Sequence, residues 1–270
     1  MDLRLLPATA LALLLLTPAY GVAAEGQTFR RACRFTVARD GEPLAASRVY
    51  QRTGAPDLVA APGDGTWLYV RPATRRFQPL NPASVQDADE RTVTVVPPPA
   101  SRGRSLTYDL AAGALLLGEE GGLAVIPTPD LLGETTAEAF LGLCPELQDR
   151  ELAYEPDPGA VGELAACTRP ITVEIYFGSW CPHCQQVLPR LLRALRDADN
   201  DHLDVRLYAL PRKLEASGGR GVRKVPTIVL LEGGVEIGRF HGLEEVPVEE
   251  TLADLVRHTA PAPSTDVSPE

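Results

Sequence analysis

Aromatic residues are scarce in this chain: Phe, Tyr and Trp make up 6% of its 270 residues, and Trp stands at two positions only. So few rings leave little from which to build the stacking platforms that hold single-stranded nucleic acid. Basic residues are outnumbered as well, 26 Lys and Arg against 36 Asp and Glu, for a formal net charge of −10. An acidic surface repels phosphate backbones and anionic membranes, so neither is expected as a partner. After the first two dozen residues no apolar run is long enough to cross a bilayer, so no membrane span is expected in the mature protein. There is no internal repeat. There is also no second cysteine pair or His-x-x-x-His at ligand spacing, so no metal site is expected.

What is present begins with a leader-like segment. Asp2 and Arg4 precede a leucine-rich run, Leu5 to Leu16, interrupted by Pro7 and Thr9, and small residues follow up to Val22-Ala23-Ala24. This is the charge, core and cleavage pattern of a secretory signal peptide. Residues 1–24 are therefore expected to be removed, leaving an exported, periplasmic or extracytoplasmic protein that starts near Glu25. All of the cysteines, Cys33, Cys144, Cys167, Cys181 and Cys184, lie after that point. An oxidising compartment permits disulfides, and an odd number leaves one thiol over. Which two of Cys33, Cys144 and Cys167 pair is not legible from spacing.

From Glu25 to about Pro129 the chain alternates turn signals with short extended runs. Ser47–Arg52, Thr66–Val70, Arg91–Val96, Leu106–Leu110, Ala114–Leu117 and Leu123–Pro127 read as strands, bounded by the segments 62–65, 97–99 and 118–122. The expectation is a small β-rich N-terminal domain over 25–157, closed by a helical connector at Thr135–Leu143 and a proline-rich linker at Tyr154–Gly159. It carries no chemical motif. It would serve as a homodimerisation or substrate-docking module, or only as a scaffold.

After the linker the pattern changes to that of an α/β domain, placed at 158–262 with a flexible tail at 263–270. Ile171–Phe177 reads as a buried strand, and Cys184–Ala198 repeats apolar residues at the spacing of an amphipathic helix. Leu203–Leu210 is a further strand. Thr227–Leu231 and Val235–Phe240 form a hairpin about Glu232-Gly233-Gly234, and Val248–His258 is a closing helix. Cys181-Pro182-His183-Cys184 falls where the first strand meets its helix. There the helix N-terminus favours a thiolate, which is the nucleophile of thiol–disulfide exchange. Cys181 is expected to be the exposed attacking thiol and Cys184 the buried resolving one. Pro182 suits a first helical position, and His183 can stabilise the thiolate by charge or hydrogen bonding. His202, His241 and His258 read as surface residues.

The sequence resembles the thioredoxin family over about a hundred residues. Trp180 precedes the first cysteine, Pro189 follows it by eight, and Val225-Pro226-Thr227 matches the family's hydrophobic-Pro-Thr step. Gly234 and Gly242 match two glycines of its last hairpin, and Arg206 stands where a lysine is usual. The resemblance implies a thiol–disulfide oxidoreductase with Cys181, Cys184, His183 and Pro226 at its centre. Pro226 would be cis and face the cysteines, and Trp180, Val225, Pro226 and Thr227 would contact substrate. It implies protein thiols or disulfides as substrates, a redox partner to recharge the pair, and no cofactor. The Cys-Pro-His-Cys sequence resembles DsbA-type oxidoreductases, so the couple is expected to be more oxidising than a Gly-Pro thioredoxin. Pro226 follows Cys184 by forty-two positions, too few for the DsbA helical insertion. One departure stands out. The family's buried relay acid lies six positions before the first cysteine, where this chain has Ile175, with Glu174 one position off. Either a bulge turns Glu174 inward or the relay is absent. The alternative from another class is a redox-inert binding or assembly module that docks through the N-terminal domain.

Overall fold

The computed structural model describes residues 25–98, 103–118, 122–214, 220–242 and 246–258. The leader-like segment 1–24 and the expected tail 263–270 lie outside the described residues.

The N-terminal strands are β1 (Gln27–Arg31), β2 (Phe35–Arg39), β3 (Glu42–Pro43), β4 (Arg48–Arg52), β5 (Leu58–Ala61) and β6 (Leu68–Arg71), followed by β7 (Arg76–Pro79), β8 (Val85–Gln86), β9 (Thr92–Val95), β10 (Arg104–Asp109), β11 (Ala114–Leu117) and β12 (Leu123–Pro127). They form one 12-stranded sheet in the order β3-β2-β12-β11-β10-β7-β6-β5-β4-β1-β9-β8. The expectation of a small β domain is thereby corrected. Its reason is visible in β5, Leu-Val-Ala-Ala, which is buried at every position and so shows no polar alternation to mark it as a strand. Both faces are covered. Val37, Val49, Leu58, Val70, Leu106 and Val125 fill one core, and Phe29, Tyr50, Val59, Tyr69, Val93 and Val95 the other. The sheet curls back on itself: β2 and β4, far apart in the strand order, meet where the Ser47 hydroxyl accepts the Val37 N–H at 3.1 Å.

The C-terminal unit contains β13 (Gly133–Thr135), α1 (Ala137–Leu141), α2 (Pro145–Ala153), α3 (Pro158–Ala165), β14 (Ile171–Phe177), α4 (Pro182–Ala198), β15 (Leu203–Ala209), β16 (Thr227–Glu232), β17 (Val235–His241) and α5 (Val248–His258). Its 5-stranded sheet runs β13-β15-β14-β16-β17. β14 and β15 are parallel, as a strand–helix–strand crossover requires, and the remaining pairs are antiparallel. The amphipathic stripe of α4, Val187, Leu188, Leu191 and Leu192, packs on the face carrying Val173, Ile175 and Phe177. Phe140 of α1 meets Phe177 edge-to-face at 5.0 Å. The opposite face holds a smaller cluster of Tyr176, Leu210, Val222, Val229 and Leu231.

One boundary moves. β13 pairs with β15, and Phe140, Cys144 and Leu147 lie in the same core as Ile175 and Leu188. The C-terminal unit therefore starts near Leu131, and the boundary expected at 157/158 falls inside it. The Tyr154–Gly159 segment is not a free linker. The Asp157 carboxylate caps α3 by accepting the Ala160 N–H at 2.8 Å, and the buried Glu249 accepts the Tyr154 hydroxyl at 2.8 Å and the Asp157 N–H at 3.1 Å. Proline and glycine at a helix start read like a linker in sequence, because both serve where backbone N–H groups have no partner. Among the described residues no helix is long and apolar enough to cross a membrane.

Candidate active site

β14 delivers the chain to the turn Gly178-Ser179-Trp180 and α4 leaves it at Pro182, so Cys181 becomes the N-cap of α4. Its backbone is extended, at φ −86° and ψ 117°, and its sulfur accepts the Cys184 N–H at 3.4 Å. A sulfur in this place collects the unsatisfied donors and the positive end of the helix, which favours the thiolate nucleophile. The expectation that Cys181 is exposed needs correction: it is 8% accessible and Cys184 is 0%. Of the two residues only Cys181 keeps any accessible surface, and the Val225 carbonyl approaches its sulfur. Burial pushes the Cys184 thiol far above its ordinary range, against the opposing pull of a hydrogen bond from the Gly178 backbone.

The Val225–Pro226 bond is cis. It turns the Val225 carbonyl to within 4.0 Å of the Cys181 sulfur. Pro226 is buried against Gly242, where a Cβ would stand 3.2 Å from the proline Cγ and 2.6 Å from Val187 Cγ1. That close approach requires glycine. The Gly242 carbonyl also contacts His183 Nε2. A carbonyl only accepts, so this nitrogen carries the proton. The half-buried His183 thus links the motif to the end of β17. Thr227 is fully buried, and its hydroxyl donates to the Lys224 carbonyl at 2.7 Å and meets His241 Nδ1 at 2.8 Å. Thr227 thereby fixes the loop that carries Val225 and Pro226. His241 is half-buried, and burial and the nearby Lys224 both lower its pKa, so it is not the solvated residue expected; His202 and His258 are exposed.

Trp180 borders the site on the other side. Its indole donates to the Leu210 carbonyl at 2.9 Å, and its ring lies so close over Gly178 that a Cβ there would be 2.5 Å from it. Sequence reasoning missed the residues that hold this turn. The Ser179 hydroxyl accepts the Leu131 N–H at 2.9 Å, and the Gln185 amide donates to the Ser179 carbonyl at 2.7 Å. Neither carries a signal a single sequence displays.

The question left open at β14 is answered by register. The strand pairs without a break with β15 and β16 around Glu174 and Ile175. Ile175 faces the cysteine side, and Glu174 the opposite cluster, where it accepts the Tyr176 hydroxyl at 2.8 Å and pairs with Arg220 at 3.1 Å. The largest influences on the Cys184 thiol are its burial, the Gly178 backbone and Cys181, with no carboxylate among them. Arg206 is exposed and paired with Asp204 at 2.7 Å, remote from the cysteines along its strand. Cys33 and Cys144 form a disulfide, with a Cα–Cα distance of 5.6 Å, and Cys167 is a buried free thiol. Among the described residues no cluster of three His, Cys, Asp or Glu side chains could hold a metal ion.

Residues 162–256 match the Thioredoxin family model. No curated protein matches the chain. Among solved structures, a Pseudomonas aeruginosa protein of unknown function is 18% identical over 46% of this chain and 87% of its own, with a TM-score of 0.34. A point-mutant thioredoxin from Halobacterium salinarum is 24% identical over 37% of this chain and 83% of its own, with a TM-score of 0.28. An HIV epitope-scaffold is 19% identical over 46% and 82%, with a TM-score of 0.34. The C-terminal part of the chain is therefore a thioredoxin domain, attached to a large β-rich N-terminal region.

Proposed function

We propose that this protein is an exported thiol–disulfide oxidoreductase that exchanges disulfides with protein substrates through Cys181 and Cys184. The observation that carries the reading is the Cys181 sulfur at the start of α4, accepting the Cys184 N–H on one side and facing the cis-Pro226 loop on the other.

In the reducing direction the Cys181 thiolate attacks one sulfur of a substrate disulfide. That S–S bond breaks, the departing substrate thiolate takes a proton from water, and a mixed disulfide joins Cys181 to the substrate. Cys184 then gives up its proton and attacks the Cys181 sulfur. The second substrate thiol leaves, and the 181–184 pair holds the disulfide. Two electrons have passed to the substrate, and a dithiol partner must return them. Oxidation of substrate thiols is the same path reversed, with an oxidant as the recharging partner. The chemistry lies in the two sulfurs, and no cofactor takes part. Val225 and Pro226 present backbone beside the sulfurs, and Trp180 walls the entrance.

Export is supported by the leader-like first residues and by the Cys33–Cys144 disulfide, since such bonds persist in oxidising compartments. The motif's resemblance to DsbA-type enzymes adds a direction. Replacing His183 with Gly should make the couple more reducing, by about 30 mV for each tenfold loss of preference for the reduced form.

The test is insulin reduction by the full chain from Glu25 onward, with Cys181→Ser beside it. Turnover by the wild type and its loss in Cys181→Ser are expected. A wild type that never exchanges disulfides with insulin, with a small disulfide or with glutathione would overturn the reading in favour of a redox-inert binding module.

A further inference from the structure

A cleft of about 720 Å³ lies between the β-rich region and the thioredoxin domain. One wall comes from the end of β1, the start of β2 and the end of β4; the other comes from the first turns of α2 and the Ser179-Trp180 turn. The Cys33–Cys144 disulfide lies in the lining and ties the two walls together. The cleft therefore reaches Trp180, the residue next to the attacking cysteine, and its width is fixed by a covalent bond.

Its charge is the reverse of the molecule's. The chain carries −10, yet Arg30, Arg34, Arg52, Arg150 and Arg212 line this space, with Asp130 and Glu146 as its acids. Arg31 also borders it, with its guanidinium over the Tyr50 ring. Three of these cations are held by neutral oxygens: Arg34 donates to Gln51 Oε1 at 2.8 Å, Arg52 to Gln27 Oε1 at 3.0 Å and Arg150 to the Gln185 carbonyl at 2.9 Å. Such contacts orient a guanidinium without cancelling its charge. Arg52 also pairs with Asp57 at 3.8 Å, and Arg212 pairs with Asp130 at 3.3 Å and lies over the Trp180 ring at 5.3 Å, so the cleft keeps its excess of positive charge on Arg30, Arg31, Arg34 and Arg150. Distant surface acids are screened beyond about 8 Å at physiological salt, so the arginines dominate the field inside the cleft.

Arg34 and Gln51 also border a second hollow of about 280 Å³, lined by Phe35, Leu58, Tyr108, Leu115 and Val125. A free small anion has no use for an apolar hollow beside its site. An extended polypeptide uses both, with carboxylates on the arginines and an apolar side chain beyond the Arg34–Gln51 pair.

We propose that this cleft binds an acidic segment of the substrate polypeptide and so sets that segment's cysteine beside Cys181. The substrate role rests on the exchange reading, whereas the binding does not.

The test is fluorescence anisotropy with the full chain from Glu25 onward and cysteine-free labelled peptides of one length. One is rich in Asp with a single Leu, and its twin carries Asn at every Asp position. The Asp peptide should bind at least about tenfold tighter than its twin, a difference of about 1.4 kcal/mol, and should weaken as salt rises. Arg34→Gln with Arg150→Gln should lose most of that preference. Asp130→Asn should bind the Asp peptide more tightly, a gain that misfolding does not produce. Equal binding of the two peptides, an unchanged double variant, or full displacement by an equimolar amount of inorganic phosphate would each overturn the proposal. Turnover of neutral hydroxyethyl disulfide separates the two readings. Turnover without peptide preference removes the cleft alone, and peptide preference without any turnover removes the oxidoreductase alone.

Discussion

The carbonyl of Gly242 holds the ring of His183 while its Cα packs against Pro226. One glycine thus positions both the histidine between the cysteines and the cis-proline that faces them. Replacing it with Ala places a methyl 2.6 Å from Val187 Cγ1 and 3.2 Å from Pro226 Cγ. Val187 is a short, buried side chain of α4 and has no room to swing away. Gly242→Ala should cost about 1–3 kcal/mol of stability, as overpacking does, and should slow insulin reduction more than it slows turnover of a small disulfide. Denaturant melts and the two assays check this. Equal slowing of both substrates would mean that the loop has no part in presenting a polypeptide.

Glu174 offers a second test, because its identity tempts one to make it the proton relay. Its carboxylate lies on the far face of β14, held by Tyr176 and Arg220, which is itself a third exposed. Glu174→Gln should lower stability by about 1–3 kcal/mol, the cost of a part-buried charge losing its partner. It should leave the pH profile of disulfide exchange where it is in the wild type. A displaced profile would mean that the carboxylate communicates with Cys184 through the sheet.

These two sites show which parts of the molecule were legible in sequence and which were not. Strand alternation puts Ile175 and Glu174 on opposite faces, but whether a bulge turned Glu174 inward was open in sequence, and only the unbroken register of β14 with β15 and β16 answers it. The motif, its helix and the Val225-Pro226 step are local patterns, and the fold brings them to one end of the sheet. The domain edge was not legible. β13 is three residues, Gly-Glu-Thr, with no buried position, and α2 reads as polar because it buries only Leu147 and Glu151. Both belong to the C-terminal unit through partners far along the chain, β15 and α4, and no local signal marks such pairings. The same holds for Cys33 and Cys144, 111 residues apart.

That separation makes the Cys33–Cys144 bond a strong constraint on the unfolded chain. A loop of this size should contribute about 3–5 kcal/mol on the chain-entropy account. Cys33→Ser with Cys144→Ser should lose that much in urea melts. Because the bond joins the two walls of the cleft, the double variant should also bind the acidic peptide more weakly, with hydroxyethyl disulfide turnover largely retained. A variant as stable as the wild type would show that noncovalent contacts alone hold the β-rich region to the thioredoxin domain.

Burial of the Cys184 thiol should also tie stability to pH. Cys184 is fully buried, and desolvation raises its thiol well above the ordinary value of 9.0. In the unfolded reduced chain the same thiol titrates at its ordinary value. The folded form therefore keeps a proton that the unfolded form releases as pH climbs past about 9. The contribution is whole below the unfolded value and is lost above it, by up to about 1.4 kcal/mol for each further pH unit. Tyr69 and Tyr176, both pushed up to about 12, add slopes of the same sign, so the wild type alone does not isolate the thiol. Reduced Cys184→Ala keeps both tyrosines and Cys181 and removes only this group. Urea melts of the two reduced proteins at pH 7, 8.5 and 9.5 should show the wild type losing stability more steeply at the alkaline end. Parallel slopes would mean that Cys184 ionises as readily inside the fold as outside it. The resolving thiol would then not be held neutral by burial, and the division of labour between the two cysteines would need another cause.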